Sequence, residues 1–197
     1  MIYTDKFAFI HIPKTSGMSI KKSIELNCPD AVYMPRNTFS TANFIPSEDW
    51  RRVMHYPYSY WELYTQDKWV FSVVRNPFIR AVSFYVYLKT TYTSSSKFTS
   101  LTFEELYTKK ENAHIDISST SQTKLLTGNN NNMVPNIFKY EDGYADIEDI
   151  LGFKIFQKIN ITPAYNYLDY YDESREKLII NLFEEDFENF NYSTILT

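Results

Sequence analysis

The sequence predicts an α/β protein in which a buried parallel sheet alternates with helices. Two apolar runs carry this prediction, at residues 7–12 and 69–74. Each run leads through a short turn into a helical pattern, and near-continuous apolarity is typical of parallel strands that are covered on both faces. Strand, turn and helix therefore recur as the basic unit of the chain.

The helices that follow these two runs have recognisable starts. We expect the first over residues 18–27. The second should begin with Asn76 as N-cap and Pro77 as first helical residue, and reach about Lys89. The other predicted elements are an extended segment at 31–33, a helix at 47–53, a loop at 90–100, a polar turn at 129–132, a strand at 135–139, a helix at 145–151 and a helix from 172 to about 187. In the last helix, a core stripe is expected at Leu178, Ile179, Leu182 and Phe183.

Length and composition exclude several classes of protein. With 197 residues, 44% hydrophobic, the chain is expected to fold as one domain over residues 1–197. Its formal net charge of -4 gives no general basic surface, so nucleic acid is not an expected partner. The single cysteine, Cys28, and three histidines show no zinc spacing, and no metal is expected.

No apolar run approaches the length of about 20 residues that a membrane-spanning helix needs. The run near the N-terminus is too short for the apolar region of a signal peptide. The sequence therefore predicts a soluble, cytoplasmic protein without a membrane span.

The first chemical motif is the turn at residues 13–19, Pro-Lys-Thr-Ser-Gly-Met-Ser, between the first strand and the first helix. Loop amides and a helix N-terminus in this arrangement converge on an anion, and Lys14 adds a positive charge. Gly17 is expected to let the backbone approach the ligand. Hydroxyl donors are expected from Thr15, Ser16 and Ser19. The alternative is an ordinary turn with Ser16 as N-cap and Lys14 in solvent.

The second motif begins with Arg75 at the end of an apolar strand, where α/β proteins place their ligands. A polar face is expected on the helix that follows, at Asn76, Arg80, Ser83 and Tyr87. Phe78, Val82 and Tyr85 are expected to face the sheet. The alternative is a capped core helix with Arg80 in a surface salt bridge.

Together the two motifs resemble the signature pair of sulfotransferases, specifically the branch of carbohydrate and heparan sulfate 2-O-sulfotransferase-like proteins. Residues 9–19 are similar to that family's 5'-phosphosulfate loop, and residues 71–85 to its 3'-phosphate motif. The similarity continues through residues 121–126, 136–152 and 170–192. The family commonly has Thr where this chain has Met18, so one hydroxyl contact is missing here.

This resemblance implies a P-loop NTPase-like three-layer sandwich with a central, mainly parallel sheet. It also implies the donor 3'-phosphoadenosine 5'-phosphosulfate, with no metal, and a hydroxyl or amine acceptor, with carbohydrate favoured. Lys14 would lie near the transferred sulfuryl group as a catalytic residue. The implied donor-binding residues are Lys14, Thr15, Ser16, Gly17, Met18, Ser19, Arg75 and Ser83.

A hydroxyl acceptor benefits from a general base, and histidine titrates in the suitable range. The position of His55 resembles that of the base in the 2-O-sulfotransferase-like branch. His11 is expected to be a buried structural residue, and His114 a loop residue. Glu62 and Asp49 are fallback bases. An aromatic acceptor wall is a further hypothesis for Tyr56, Tyr58, Tyr60 and Trp61, with core or surface packing favoured for most of them.

Two rival functions remain open at this point. A P-loop-like phosphotransferase or kinase would need the nucleotide-loop pattern, but in this chain Lys14 precedes the first glycine rather than following it. A catalytically silent nucleotide-binding module would keep the loop without a working base. The sequence specifies neither the acceptor nor the oligomeric state.

Overall fold

The computed structural model describes residues 1–33, 55–108, 120–156 and 165–196. Within them, five strands form one sheet in the order β3-β1-β2-β4-β5. Their bounds are β1 Ile2–Tyr3, β2 Phe7–Ile10, β3 Val32–Tyr33, β4 Trp69–Val74 and β5 Asn136–Lys139. β4 pairs in parallel with both β2 and β5, whereas β1 pairs antiparallel with β2 and β3. The predicted α/β class is confirmed, with the parallel part confined to the three strands β2, β4 and β5.

Helices connect and cover these strands. The α-helices are α1 Gly17–Asn27, α2 Pro77–Thr91, α3 Ser96–Thr99, α4 Phe103–Thr108, α5 Gln122–Leu126, α6 Ala145–Leu151, α7 Glu173–Leu182 and α8 Glu184–Asn189. Short 3-10 turns occur at Tyr58–Tyr60, Glu62–Tyr64, Tyr140–Asp142 and Tyr167–Tyr170. The helix predicted at 47–53 lies outside the described residues. In the described part of the chain, no helix has the length and apolarity needed to cross a membrane.

Two predictions about helices are wrong in part. The loop expected at 90–100 contains the last turn of α2 and the short helix α3. Serine and threonine side chains support α3, because Thr99 Oγ1 donates to Ser95 O at 3.2 Å and Ser100 Oγ donates to Ser96 O at 2.8 Å. Phe98 then packs against the core.

The single helix expected from 172 to about 187 is broken at Phe183, which has φ -120° and ψ 27°. Its predicted core stripe is confirmed, because Ile179 and Phe183 are buried and Leu178 and Leu182 pack against them. Asp186, three residues after Phe183, is also fully buried. Its carboxylate accepts hydrogen bonds from amides at the start of α5, so it matters for the site.

Apolar clusters cover both faces of the sheet. Alternate side chains of β2 and β4 point to opposite faces, as expected for strands buried on both sides. One cluster joins Phe9 and Phe71 to Ile20 of α1. On the other face, Ile10 and Val74 pack with residues that include Trp61, Leu125 and Leu126. A third cluster joins α2 to α4, α7 and α8.

The carboxyl ends of β2, β4 and β5 meet at one edge of the sheet, because the three strands run in parallel. Ile10 lies opposite Ser72, and Val74 lies opposite Lys139. Ser72 Oγ donates to Ile10 O at 2.7 Å, so the polar residue within β4 also holds β2. The loops that leave β2 and β4 at this edge are the two motifs of the sequence.

Candidate active site

The first loop has an unusual backbone. Lys14 and Ser16 both have φ 68°, in the left-handed region. This conformation costs a non-glycine residue roughly 1–2 kcal/mol, and such strain is found mainly at functional sites. Ser16 occupies the N-cap position of α1, but its side chain makes no capping hydrogen bond. The loop is therefore not an ordinary capped turn.

Carbonyl groups of this loop are held by side chains. Pro13 O accepts from Arg80 Nε at 3.2 Å, and Lys14 O accepts from Arg75 NH1 at 3.2 Å. Ile12 O accepts from Thr15 Oγ1 at 3.0 Å, so the Thr15 hydroxyl proton is already used within the loop. In a trans peptide, the N–H points away from the preceding C=O. The N–H groups of Lys14 and Thr15, which follow the carbonyls of Pro13 and Lys14, are thereby turned away from the guanidinium groups that hold the loop.

In the described part of the chain, no amide of residues 14–18 makes a close backbone hydrogen bond like those of Ser19 and Ile20. The first amides of α1 that donate are those of Ser19 and Ile20, both to Ser16 O. A run of unpaired N–H groups at a helix N-terminus binds anions well. The backbone geometry is compatible with the predicted anion cradle, and anion binding by this loop stays a prediction.

Lys14 brings a positive charge to this cradle. Its ammonium lies 4.2 Å from the centre of the Tyr87 ring. Burial, and then repulsion from Arg75, lower the pKa of Lys14 from 10.5 to about 8. Lys14 remains largely charged at neutral pH, in a setting that favours an added anion.

Arg75 lies beside the loop and has an unsatisfied donor. Its main chain is fixed by Gln122, which accepts from Arg75 N at 2.9 Å and donates to Arg75 O at 2.8 Å. Its guanidinium lies 4.5 Å from the centre of the Tyr140 ring, and its Nε is buried without a partner. A buried donor left unpaired costs about 1–3 kcal/mol. An anionic ligand beside Arg75 would remove this cost.

The polar face predicted on α2 lies against the first loop. The Asn76 side chain caps the helix by accepting from Phe78 N at 2.9 Å. Arg80 reaches the loop through Pro13, Tyr87 reaches it through Lys14, and Ser83 is buried on the same helix.

Two alternatives for α2 are wrong. Arg80 is only 2% exposed, which rules out a surface salt bridge. Phe78, Val82 and Tyr85 pack against the C-terminal helices and α4 rather than the sheet, because α2 lies between the first loop and those helices.

Buried polar residues that the sequence did not single out hold the second motif in place. Asp186 accepts from the amides of Gln122 and Thr123, each at 2.8 Å. Gln122 in turn holds the main chain of Arg75. Glu141 accepts from the amide of Asn76 at 2.8 Å. These carboxylates bind backbone amides that flank the second motif.

A family model described as "Sulfotransferase family" matches residues 1–193. The chain belongs to the sulfotransferase family. This membership indicates sulfuryl transfer as the general activity, and it accords with an anion cradle and an unsatisfied arginine at one sheet edge. No curated protein and no solved structure matches the chain.

Two histidines of this sulfotransferase lie next to the first loop. The ring centres of His11 and His55 are 4.5 Å apart, and His55 Nδ1 lies 3.2 Å from His11 O. Since a carbonyl only accepts, Nδ1 carries the proton and Nε2 of neutral His55 has a free lone pair. Burial lowers the pKa of His55 to about 4, and the charges of the N-terminus, Arg80 and Lys14 act in the same direction, partly opposed by the His11 hydrogen bond.

His11 also gives Gly17 its role in this sulfotransferase. A Cβ at position 17 would lie 1.7 Å from His11 Cδ2. The absence of a side chain at Gly17 therefore accommodates the buried imidazole. The expectation that Gly17 lets the backbone approach a ligand stays a prediction beside this packing contact.

Other predicted candidates lie elsewhere. Glu62 accepts from Asn129 N at 2.8 Å and lines a cleft with Lys68 and Pro135, which precede β4 and β5, at the opposite edge of the sheet. Trp61 is fully buried in the core. His114 and Asp49 lie outside the described residues. Among the residues described, no group of three or more His, Cys, Asp or Glu side chains is arranged to hold a metal ion.

Replacing Gly17 by alanine is expected to destabilise the fold by about 1–3 kcal/mol, because the new methyl group overlaps the His11 ring. Urea denaturation measures this change. The double variant with His11→Ala should recover part of the loss, because the clash is then removed. Additive effects of the two substitutions would contradict the proposed contact.

In the free protein, His55 is expected to stay neutral down to about pH 4. Since the unfolded chain takes up this proton near pH ~6.5, the free energy of unfolding should fall as the pH is lowered from about 6.5 towards 4. Proton NMR of the imidazole checks the midpoint, and His55→Asn should flatten the pH dependence of stability. Buried His11 contributes a slope of the same sign that remains in this variant. A His55 midpoint near 6.5 would contradict the assignment.

Proposed function

We propose that this protein transfers a sulfuryl group from 3'-phosphoadenosine 5'-phosphosulfate to a hydroxyl group, with carbohydrate as the favoured acceptor class and an amine as the alternative. The observation that carries the proposal is the pairing of two anion-seeking features at one sheet edge. The first is the amide cradle at residues 14–18, and the second is the guanidinium of Arg75 with its unpaired Nε. A donor with phosphate groups at both ends of its ribose suits such a pair.

In this proposal the first loop binds the 5'-phosphosulfate. The amides of the loop and the Ser16 and Ser19 side chains contribute hydrogen bonds, while Thr15 contributes its amide and Met18 its backbone. Arg75 and Ser83 bind the 3'-phosphate. The bond from Arg75 to Lys14 O spans 3.2 Å, so the two halves of the proposed site are in direct contact.

The reaction requires in-line attack by the acceptor oxygen on sulfur, with cleavage of the bond from sulfur to the bridging oxygen. Lys14 stabilises the negative charge that develops on that bridging oxygen as adenosine 3',5'-bisphosphate leaves. His55 Nε2 accepts the proton of the acceptor hydroxyl, while its Nδ1–H remains bonded to His11 O. Each charge that appears thus faces a group able to stabilise it.

The base and the donor site are electrostatically linked. Positive charges on Lys14 and Arg80 contribute to the low pKa of His55. A bound anion offsets these charges, so donor binding raises the pKa of His55 and makes it a better base. The acceptor is then deprotonated only when a donor is present.

Support for a carbohydrate acceptor comes from the aromatic residues next to His55. Tyr56 and Tyr60 stack with ring centres 5.0 Å apart, and Tyr60 is 46% exposed. An exposed aromatic face packs well against the apolar face of a sugar ring. Buried Tyr58 and Trp61 support this pair from the core.

The same proposal extends to architecture. Apolar clusters on both faces of the sheet support a P-loop NTPase-like three-layer sandwich. The family match over residues 1–193 supports a single sulfotransferase domain over residues 1–197.

Lys14→Ala and Arg75→Ala are each expected to weaken binding of adenosine 3',5'-bisphosphate by at least about tenfold, since a hydrogen bond to a charged group contributes about 1.5–3 kcal/mol. Isothermal titration calorimetry measures the change. Lys124→Ala, on the exposed face of α5, is the matched control and should retain the wild-type affinity. Wild-type affinity in both site variants would remove the basis of the proposal.

His55→Ala is expected to lower turnover by about 10²-fold or more while donor affinity is retained, because only the proton acceptor is lost. A screen of sulfur-labelled donor against sugars, amines and phenols first supplies the acceptor for this assay. His55→Asn keeps a donor for His11 O but lacks Nε2, and it should be equally slow. Near-normal turnover in both variants would rule out His55 as the base.

A further inference from the structure

Arg80 is a buried cation for which the proposed mechanism has no direct use. It lies in the first turns of α2 and is 2% exposed. Its Nε donates to Pro13 O at 3.2 Å, and NH1 and NH2 both donate to Thr120 O at 3.2 Å. The guanidinium also lies over the Phe183 ring, 5.6 Å from its centre. All of these contacts are with the protein, so Arg80 is not placed to bind a ligand.

The bond to Pro13 O determines which way a critical peptide unit faces. Because the peptide between Pro13 and Lys14 is trans, its N–H points opposite to the carbonyl that Arg80 holds. The Lys14 amide is therefore directed away from the protein interior, at the beginning of the anion cradle. Lys14 and Ser16 in this loop have left-handed conformations, which unrestrained non-glycine residues avoid, and the bond from Arg80 is one of the restraints on the loop.

A second bond joins the two halves of the site. Thr120 precedes α5, whose Gln122 holds the main chain of Arg75 at both N and O. By binding Pro13 O and Thr120 O at once, Arg80 fixes the first loop relative to the segment that supports Arg75. Asp186 binds the amides at the start of α5. Burial lowers the pKa of Arg80, and the negative charge of Asp186 partly opposes this effect.

The chemistry at this position requires arginine. A guanidinium offers several N–H donors in a rigid plane, so Nε can serve one carbonyl while the terminal nitrogens serve another. Lysine has a single nitrogen at the end of a flexible chain and cannot reproduce this two-carbonyl geometry.

We infer that Arg80 is a positioning residue for the donor loop, which turns the loop amides toward the 5'-phosphosulfate without touching it. This inference rests on the proposed function. It predicts that loss of Arg80 selectively removes the affinity gained from the 5'-phosphate.

The test compares three nucleotides by calorimetry with the full chain. The affinity of adenosine 3',5'-bisphosphate divided by that of adenosine 3'-monophosphate gives the affinity gained from the 5'-phosphate, which we call the 5' gain. The affinity of the bisphosphate divided by that of adenosine 5'-monophosphate gives the affinity gained from the 3'-phosphate, the 3' gain. In Arg80→Lys, the 5' gain should fall by about tenfold, as expected for loss of charge-assisted contacts, while the 3' gain changes by less than about twofold.

Two further variants keep the test decisive. Arg80→Gln supplies a neutral donor for Pro13 O and should fall between wild type and Arg80→Lys in its 5' gain; it also serves if the lysine variant does not fold. Tyr107→Phe is the matched control, because the Tyr107 hydroxyl donates to Ala81 O at 2.9 Å on the same helix without contacting the loop. This control should lower stability and leave both gains unchanged.

The outcomes are distinguishable. A wild-type 5' gain in folded Arg80 variants would overturn the inference and leave the proposed function intact. Equal loss of both gains would assign Arg80 a general structural role and would also overturn it. A wild-type protein that binds none of the three nucleotides would overturn the proposed function, and this inference with it.

Discussion

Parallel pairing of β2 with β4 is the constraint on which the site depends. The register places Ile10 opposite Ser72, and the Ser72 hydroxyl reinforces it by donating to Ile10 O at 2.7 Å. Both strands therefore end at the same edge, and their loops meet where Arg75 donates to Lys14 O. A slip of one residue would move every side chain of a strand to the opposite face and disrupt the packing of both apolar clusters, so the same packing energy that holds the sheet also aligns the two loops.

At this edge of the sheet, the carboxylates and the cations contact different kinds of group. The buried carboxylate of Asp186 accepts hydrogen bonds from amides at the start of α5, and the carboxylate of Glu141 accepts from the amide of Asn76. The cations instead contact carbonyl oxygens and aromatic rings, which leave their charge largely uncompensated. Holding the buried positive charge of Lys14 costs stability. Because the pKa of Lys14 is lowered to about 8 in the folded protein, the unfolded chain binds more protons than the folded one between about pH 8 and 10.5. Stability of the free protein therefore rises with pH across that interval, and an anionic ligand would offset the cost at neutral pH.

The sequence predicted the elements whose signals are local. Apolar runs located β2 and β4, Asn76 and Pro77 marked the start of α2, and the two motifs identified the loop and Arg75, whereas β1 was not predicted. What it missed depends on contacts between distant residues. Asp186 lies in an acidic helix of the kind usually found at a solvated surface, but its carboxylate accepts from the amide of Gln122, 64 residues earlier in the sequence. Arg80 was assigned to the right face of α2, but its carbonyl partners lie 67 and 40 residues away in sequence.

His11 belongs both to the packed interior and to the proposed site at this edge of the sheet. Its ring occupies the space that Gly17 leaves, its carbonyl accepts from His55, and its backbone begins the loop that carries Lys14. Burial keeps the pKa of His11 well below its ordinary value, so the ring stays neutral and adds no further positive charge to His55. A positively charged side chain at position 11 would lower the pKa of His55 further and weaken the base. Position 11 is thus restricted by packing against α1 and by its electrostatic effect on the pKa of His55. A buried neutral imidazole satisfies both requirements.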